Sequence, residues 1–146
     1  MKAFTVYQPY AYAIVAGLKG YETRPRRTNI RGRVAVHAGK QKMKLASTSV
    51  IVVPKAGEML HYGAVLGTVE IVDCLPVEEV IHTLTEQERI LGDYSPGRFA
   101  WVLKNPVMFS EPVPASGKQG WWNWGGDGGG LSEWGKFIKQ RFERRE

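Results

Sequence analysis

Short alternating stretches outnumber helical ones along these 146 residues. That balance predicts a mainly β fold of the α+β class: a small β-barrel flanked by short helices, with a basic amphipathic helix at the C-terminal end. The clearest strand, Gly63 to Val72, is almost continuously apolar, which places it at the centre of a sheet. The length suits one domain with a sizeable core, spanning 1–146, with 125–146 appended to it as a glycine hinge and a helix.

Residues 2–7 open the chain as a short strand, Phe4 and Val6 on one face and Ala3, Thr5 and Tyr7 on the other. Pro9 suits the first turn of a helix running to Ala16, because its missing N–H is an orphan donor there in any case. Tyr10, Ala13 and Ile14 face the core in this reading. Gly17 stops the helix, since glycine enters the left-handed region without a Cβ clash. Lys19, Glu22 and Arg24 follow in the turn and at the start of an extended segment, and Pro25 holds Arg24 out of the helical region. A basic loop of Arg26, Arg27, Arg31 and Arg33 leads into a strand with Val34, Val36 and Ala38 opposed to Ala35 and His37.

Residues 40–53 read as a helix entering an extended run. The central strand ends at Pro76, and Val77 to Leu91, with interleaved glutamates, forms one or two short helical turns at the surface. Gly92 to Gly97 is a loop. Arg98 to Lys104 is a strand, and Val107 to Phe109 continues the sheet after Asn105-Pro106. At the end, Trp121-Trp122-Asn123-Trp124 precedes the glycine run 125–130, after which Leu131, Trp134, Ile138 and Phe142 recur at helical spacing.

Charge is unevenly placed. Ten of the 20 Lys and Arg lie in positions 1–44, where Glu22 is the sole acid, so that segment carries +9 and the remainder −3. An anionic partner is the natural expectation. The single Cys74 excludes an internal disulfide framework and a multi-cysteine zinc site, and fits a reducing cytoplasm. No apolar run reaches the length of a membrane span, and the first residues lack a signal-peptide core, so the expectation is a soluble cytoplasmic protein without a membrane partner.

Lysine and arginine beside one carboxylate can hold a phosphate and a base edge together, the cations neutralising backbone while Glu22 accepts from an exocyclic amine. Glu22 simply paired with Lys19 or Arg24 at a helix end is the alternative. The loop Arg24 to Arg33 is either a phosphate-binding or a solvated basic turn, and Tyr10 and Tyr21 can stack bases beside it. Lys118 with Trp121 to Trp124 is a cationic and aromatic mixture of the kind single strands use, although tryptophans also fill the ends of a small barrel. His37 follows the basic loop and lines the same groove or hydrogen-bonds in the core. His37, His61 and His82 lack zinc-ligand spacing, and Gly117-Lys118 lacks the other residues of a P-loop, so neither a metal nor another cofactor is expected. If the chain is an enzyme, Lys19 serves as nucleophile or base and Glu22 or Glu70 as acid–base group; an outward-facing Glu70 is the plainer reading.

Gln8-Pro9-Tyr10-Ala11, Gly17-x-Lys19-x-x-Glu22-x-Arg24, the Arg31 to Ala38 segment, the Gly63 to Cys74 strand and Gly117-Lys118-Gln119-Gly120-Trp121 together resemble an ASCH domain of the PUA-like superfamily. The resemblance covers roughly residues 3–124. It implies a β-barrel flanked by short helices, with a cleft carrying the Lys19, Glu22 and Arg24 positions, and a link to RNA or DNA binding. Some family members resemble ribonucleases, and a small bacterial branch is similar to amidohydrolases acting on acetylated cytidine. In that branch a threonine nucleophile stands beside the lysine; this chain has Glu22 there. Tyr10 replaces the usual tryptophan and keeps a stacking ring.

The expectation is therefore a module for RNA or another single strand, or for a nucleoside-like ligand, with Gln8, Tyr10, Lys19, Tyr21, Glu22, Arg24, Arg26, Arg27, Arg31, His37, Lys118 and Trp121 as binding residues. The alternative is a hydrolase, a ribonuclease or an amidohydrolase on a modified nucleoside, with Lys19 and Glu22 catalytic in the same cleft. A protein-interaction module using the tryptophans is a third class.

Overall fold

The computed structural model describes residues 1–42 and 59–125. The order is β1 (Lys2–Gln8), α1 (Tyr10–Val15), β2 (Tyr21–Arg24), β3 (Gly32–Lys42), β4 (Ala64–Pro76), α2 (Val77–Val80), a 3-10 turn (Ile81–Thr83), α3 (Glu86–Leu91), β5 (Phe99–Pro114) and β6 (Trp122–Asn123). They form one six-stranded sheet in the order β2-β5-β4-β3-β1-β6, antiparallel except for the β1–β3 pair.

The expected barrel is not closed. Its two edge strands are also its shortest, four residues in β2 and two in β6, and neither pairs with the other. Pro25, which has no N–H to donate, follows the last residue of β2. The β4–β5 ladder instead curls: its register shifts three times, and bulges of this kind increase local twist. An open, strongly twisted sheet and a barrel give the same alternation in sequence. The helix expected near the C-terminal end and the glycine run lie outside the described residues, as does the 40–53 stretch beyond Lys42; residues 40–42 continue β3.

Alternation along β1 and β3 buries both faces. Phe4, Val6, Val34 and Val36 pack with Tyr12 and Ile14 of α1, Val69 and Ile71 of β4, and Trp101 and Leu103 of β5. The opposite positions Ala3 and Ala35 pack with Val65, Phe109, Trp122 and Trp124. Burying one such large side chain contributes about 1.5–3 kcal/mol. Within α1, Tyr12 turns into the core and Tyr10 stays half-buried, so the expected inward face is rotated.

Two boundaries differ from the sequence reading for a local reason. β4 runs on through Cys74 and Leu75 to Pro76, which then stands at the N-cap of α2, where a missing N–H does no harm. Asn105-Pro106 does not interrupt the next strand: Asn105 adopts φ 52°, a region asparagine tolerates, and β5 passes through it as a single strand. Among the described residues no helix is long and apolar enough to cross a membrane.

Candidate nucleic-acid interface

The end of α1 places the first functional side chain. Ala16 caps the helix and Gly17 takes φ +80°. Its N–H donates to Ile14 O at 3.1 Å and that of Leu18 to Ala13 O at 2.8 Å, the Schellman pattern that turns the chain sharply. Lys19 N also reaches Ala13 O, at 3.1 Å, so the lysine leaves the turn directed back under the molecule.

Lys19 and Glu22 are 4% and 7% exposed, an unusual burial for two ionisable groups that requires pairing. Lys19 Nζ donates to Glu22 Oε1 at 3.0 Å and to the carbonyl of Tyr21, while Arg24 Nε donates to Glu22 Oε2 at 2.8 Å. Burial alone would raise the Glu22 carboxyl, but the charges of Lys19 and Arg24 and their hydrogen bonds hold it below the usual carboxylate range. The trio is cation, anion, cation, and carries net +1.

Arg24 is fixed on every side but one. Its Nη2 donates to Thr5 O at 3.0 Å, and its guanidinium lies 5.4 Å from the Trp101 ring and 5.8 Å from the Phe4 ring. Trp121 stacks on Trp101 at 5.3 Å and meets Phe4 edge-on at 5.5 Å, completing an aromatic support.

A cleft of about 440 Å³ opens over this trio, between Tyr10 and the outward face of β1 on one side and Ile90 to Asp93 with Arg98 on the other. The far wall is tied to the Lys19 turn by α3: Gln87 Nε2 donates to Leu18 O at 2.8 Å, and Glu88 Oε1 accepts from Gly20 N. Burial pushes the Glu88 carboxyl up, and its second oxygen has no partner among the described residues, nor has the buried Tyr94 hydroxyl.

A second cleft, of about 570 Å³, adjoins the first and shares Thr5, Tyr7 and Arg24 with it. Lys40 and Lys118 line it, with the Gly117 to Gly120 loop as its outer wall. His37 supports that loop from beneath. Its Nε2 lies 2.7 Å from Ala115 O, which can only accept, so in the neutral ring Nδ1 accepts from the Thr5 hydroxyl at 3.1 Å. Thr5 Oγ1 in turn accepts from Trp122 Nε1 at 3.2 Å. Burial pushes the His37 imidazole down. A Cβ on Gly117 would lie 2.5 Å from the His37 ring and 2.7 Å from Thr5 Oγ1, so only glycine allows this close approach.

Of the residues singled out in the sequence, Tyr10, Lys19, Glu22 and Arg24 meet at the first cleft, and Arg24, His37 and Lys118 line the second. Trp121 supports Arg24 from behind. Gln8 points inward, accepting from Tyr12 N at 2.8 Å and donating to His61 O at 2.9 Å. Tyr21 packs with Leu75 and Tyr94 on a small core around Val77, Val80 and Ala100.

The basic loop stands apart from both clefts. Arg26 and Arg27 are exposed, Arg27 with its guanidinium 4.8 Å from the Phe99 ring, and Arg31 donates to Thr28 O and Ile30 O at 3.0 and 2.9 Å. Glu70 faces outward and binds Arg33 at 2.9 Å. Sequence reasoning missed Tyr7, Asp93 and Arg98. Tyr7 shares the outward face of β1 with Thr5, a signal that was present; Arg98 comes from a loop that only the tertiary fold brings opposite Lys19. Among the described residues no three of His, Cys, Asp and Glu converge as ligands for a metal ion.

Comparison with known proteins places this geometry in context. The family model of the ASCH domain matches residues 4–113. Among solved structures, that of ASCH from Zymomonas mobilis aligns with a TM-score of 0.50 at 16% identity, covering 77% of this chain and 72% of that one. Crystal structures of two mutant proteins from the same organism align at TM-scores of 0.48, with 15% and 19% identity, covering 77% of this chain and 74% and 72% of theirs. At this identity the likeness concerns the fold. No curated protein matches the chain.

Proposed function

The chain belongs to the ASCH domain family, and on that premise we propose that it is a nucleic-acid-binding module that takes RNA or another single strand in the first cleft. The observation that carries this reading is the buried Lys19–Glu22–Arg24 trio at the floor of an open cleft, Glu22 bracketed at 3.0 and 2.8 Å by two cations. Lys19, Arg24 and Arg98 supply the positive field for phosphate, Glu22 and Asp93 accept from base amines, and the Tyr10 ring gives a stacking wall. An anion in this cleft meets donors already oriented by the fold, so little reorganisation opposes binding. The family's general link to RNA binding agrees with this use of the cleft.

The test is retention of labelled single-stranded RNA by the purified protein at low and moderate salt, with strand integrity followed in the same samples. Lys19→Ala and the more exposed Arg98→Gln serve as variants. Intact RNA retained in a salt-dependent way, and weakened in both variants, is the expected result. Absence of retention at low salt overturns the reading.

A hydrolase is the second reading, favoured by one observation: Lys19 and Glu22 form a close pair at the cleft floor, where an acid–base pair would work. Both partners of Lys19, Glu22 and the Tyr21 carbonyl, are acceptors, so the geometry uses its amine as a donor. Strand cleavage lost in Lys19→Ala would select the hydrolase over the binding module.

A further inference from the structure

We propose, on the reading that the first cleft takes a nucleotide, that the two clefts form one groove for two successive nucleotides of a single strand. Arg24 meets the phosphodiester between them, and Lys40 and Lys118 hold the next phosphate.

The first argument is continuity. The two clefts are not separate depressions; Thr5, Tyr7 and Arg24 belong to both, so a chain leaving one enters the other across the outward face of β1. Tyr7 is half exposed at that crossing and donates to Gln41 at 3.1 Å, leaving its ring face along the path.

The second argument is a division of charge. The first cleft mixes Lys19, Arg24 and Arg98 with Glu22 and Asp93, a set that suits a base with both donors and acceptors. Among the described residues the second is lined by Arg24, Lys40 and Lys118 with no acid, a set that suits phosphate and offers a base edge little to donate to. A mononucleotide would use one half of this pattern; a dinucleotide uses both.

The third argument is the position of Arg24. Nε is bound to Glu22 and Nη2 to Thr5 O, and Phe4 and Trp101 hold the guanidinium plane, which leaves Nη1 as the arm directed to a ligand at the junction. A single oriented donor at the boundary suits the linking phosphate, which both nucleotides share. Beyond it the exposed Gly117-Lys118-Gln119-Gly120 loop offers backbone N–H groups that find no acceptor among the described residues. The His37–Thr5–Trp122 chain keeps the start of that loop in place.

The experiment is calorimetric titration of the full chain with random-sequence RNA of one, two and ten nucleotides, each carrying a 5′-phosphate, at one fixed salt concentration. The dinucleotide is expected to bind about tenfold more tightly than the mononucleotide. In the Lys40→Ala/Lys118→Ala double variant that ratio should fall below about twofold, and the salt slope for the decamer should shrink by about 1.4, or about 0.7 per lost phosphate contact on a single strand. Both lysines are exposed, and circular dichroism checks that the variant is folded. Equal binding of one and two nucleotides by the wild type, or an undiminished ratio in the variant, overturns the joined groove while leaving the first cleft standing if the decamer still binds. A decamer that does not bind at all removes the binding reading and this inference together.

Discussion

Lys19 Nζ lies 3.0 Å from Glu22 Oε1 with both side chains nearly closed off from solvent, and Arg24 closes the other oxygen of the same carboxylate at 2.8 Å. The pair is a structural element and a charged floor at once, because neither ion is tolerable there without the other.

The two members should not be equivalent when removed. Glu22→Gln leaves two cations facing each other with one buried, and is expected to cost about 3 kcal/mol, the scale found when a buried pair is broken from one side. Lys19→Met leaves Glu22 with Arg24 and should cost less. Urea unfolding of both variants checks the order, read from the midpoints at unchanged slope.

Stability should fall on acidification in two separate steps. The His37 imidazole is lowered in the fold, so below about pH 6.5 the unfolded chain takes up a proton first and stability drops. The Glu22 carboxyl is also lowered; its contribution is complete above about pH 4.3, the unfolded value, and is lost as pH falls through the folded one. Thermal melts from pH 8 to 3 should show both steps, and His37→Gln should remove only the upper one.

Glu88 titrates in the opposite sense. Burial raises its carboxyl, so its contribution is present below about pH 4.3 and is lost as pH rises through the folded value. Glu88→Gln keeps an acceptor for Gly20 N and removes the buried charge. Its melting temperature is expected to exceed the wild type's at pH 7.5 and to match it at pH 4.

Gly117→Ala tests the support of the second cleft. The added methyl would lie 2.5 Å from the His37 ring, forcing the loop outward, with a loss of about 1–3 kcal/mol of the kind overpacking produces. Decamer RNA binding should weaken in the same variant, since Lys118 moves with the loop. Wild-type affinity in a measurably destabilised variant would separate the loop from the ligand.

Local chemistry was legible in the sequence wherever one residue decides it. Gly17 announced the end of α1, alternation at Phe4 and Val6 and at Val34 and Val36 announced the core face, and the Lys19 to Arg24 spacing announced a convergence. What was not legible depends on distant partners. Nothing near Arg98 or Asp93 says that α3 will deliver them opposite Lys19, and nothing in Gln8 says that its amide will be spent on Tyr12 and His61. The run Arg26, Arg27 and Arg31 looked like the heart of a site by density of charge, yet stands outside both clefts, because charge density does not encode which way a loop faces. Barrel closure failed for a similar reason: it is settled by whether the short edges β2 and β6 meet, and alternation is silent on that.

The central claim is that single-stranded RNA occupies the cleft floored by Lys19, Glu22 and Arg24. Its most direct test is fluorescence anisotropy of a labelled ten-nucleotide single-stranded RNA with wild type, Arg24→Gln and Arg26→Gln/Arg27→Gln at 50 and 200 mM salt. The account predicts salt-sensitive binding by the wild type, a loss of tenfold or more in Arg24→Gln, and in the loop variant a smaller loss confined mainly to the salt slope. Equal affinity of Arg24→Gln and wild type, or a larger loss in the loop variant than in Arg24→Gln, would contradict it.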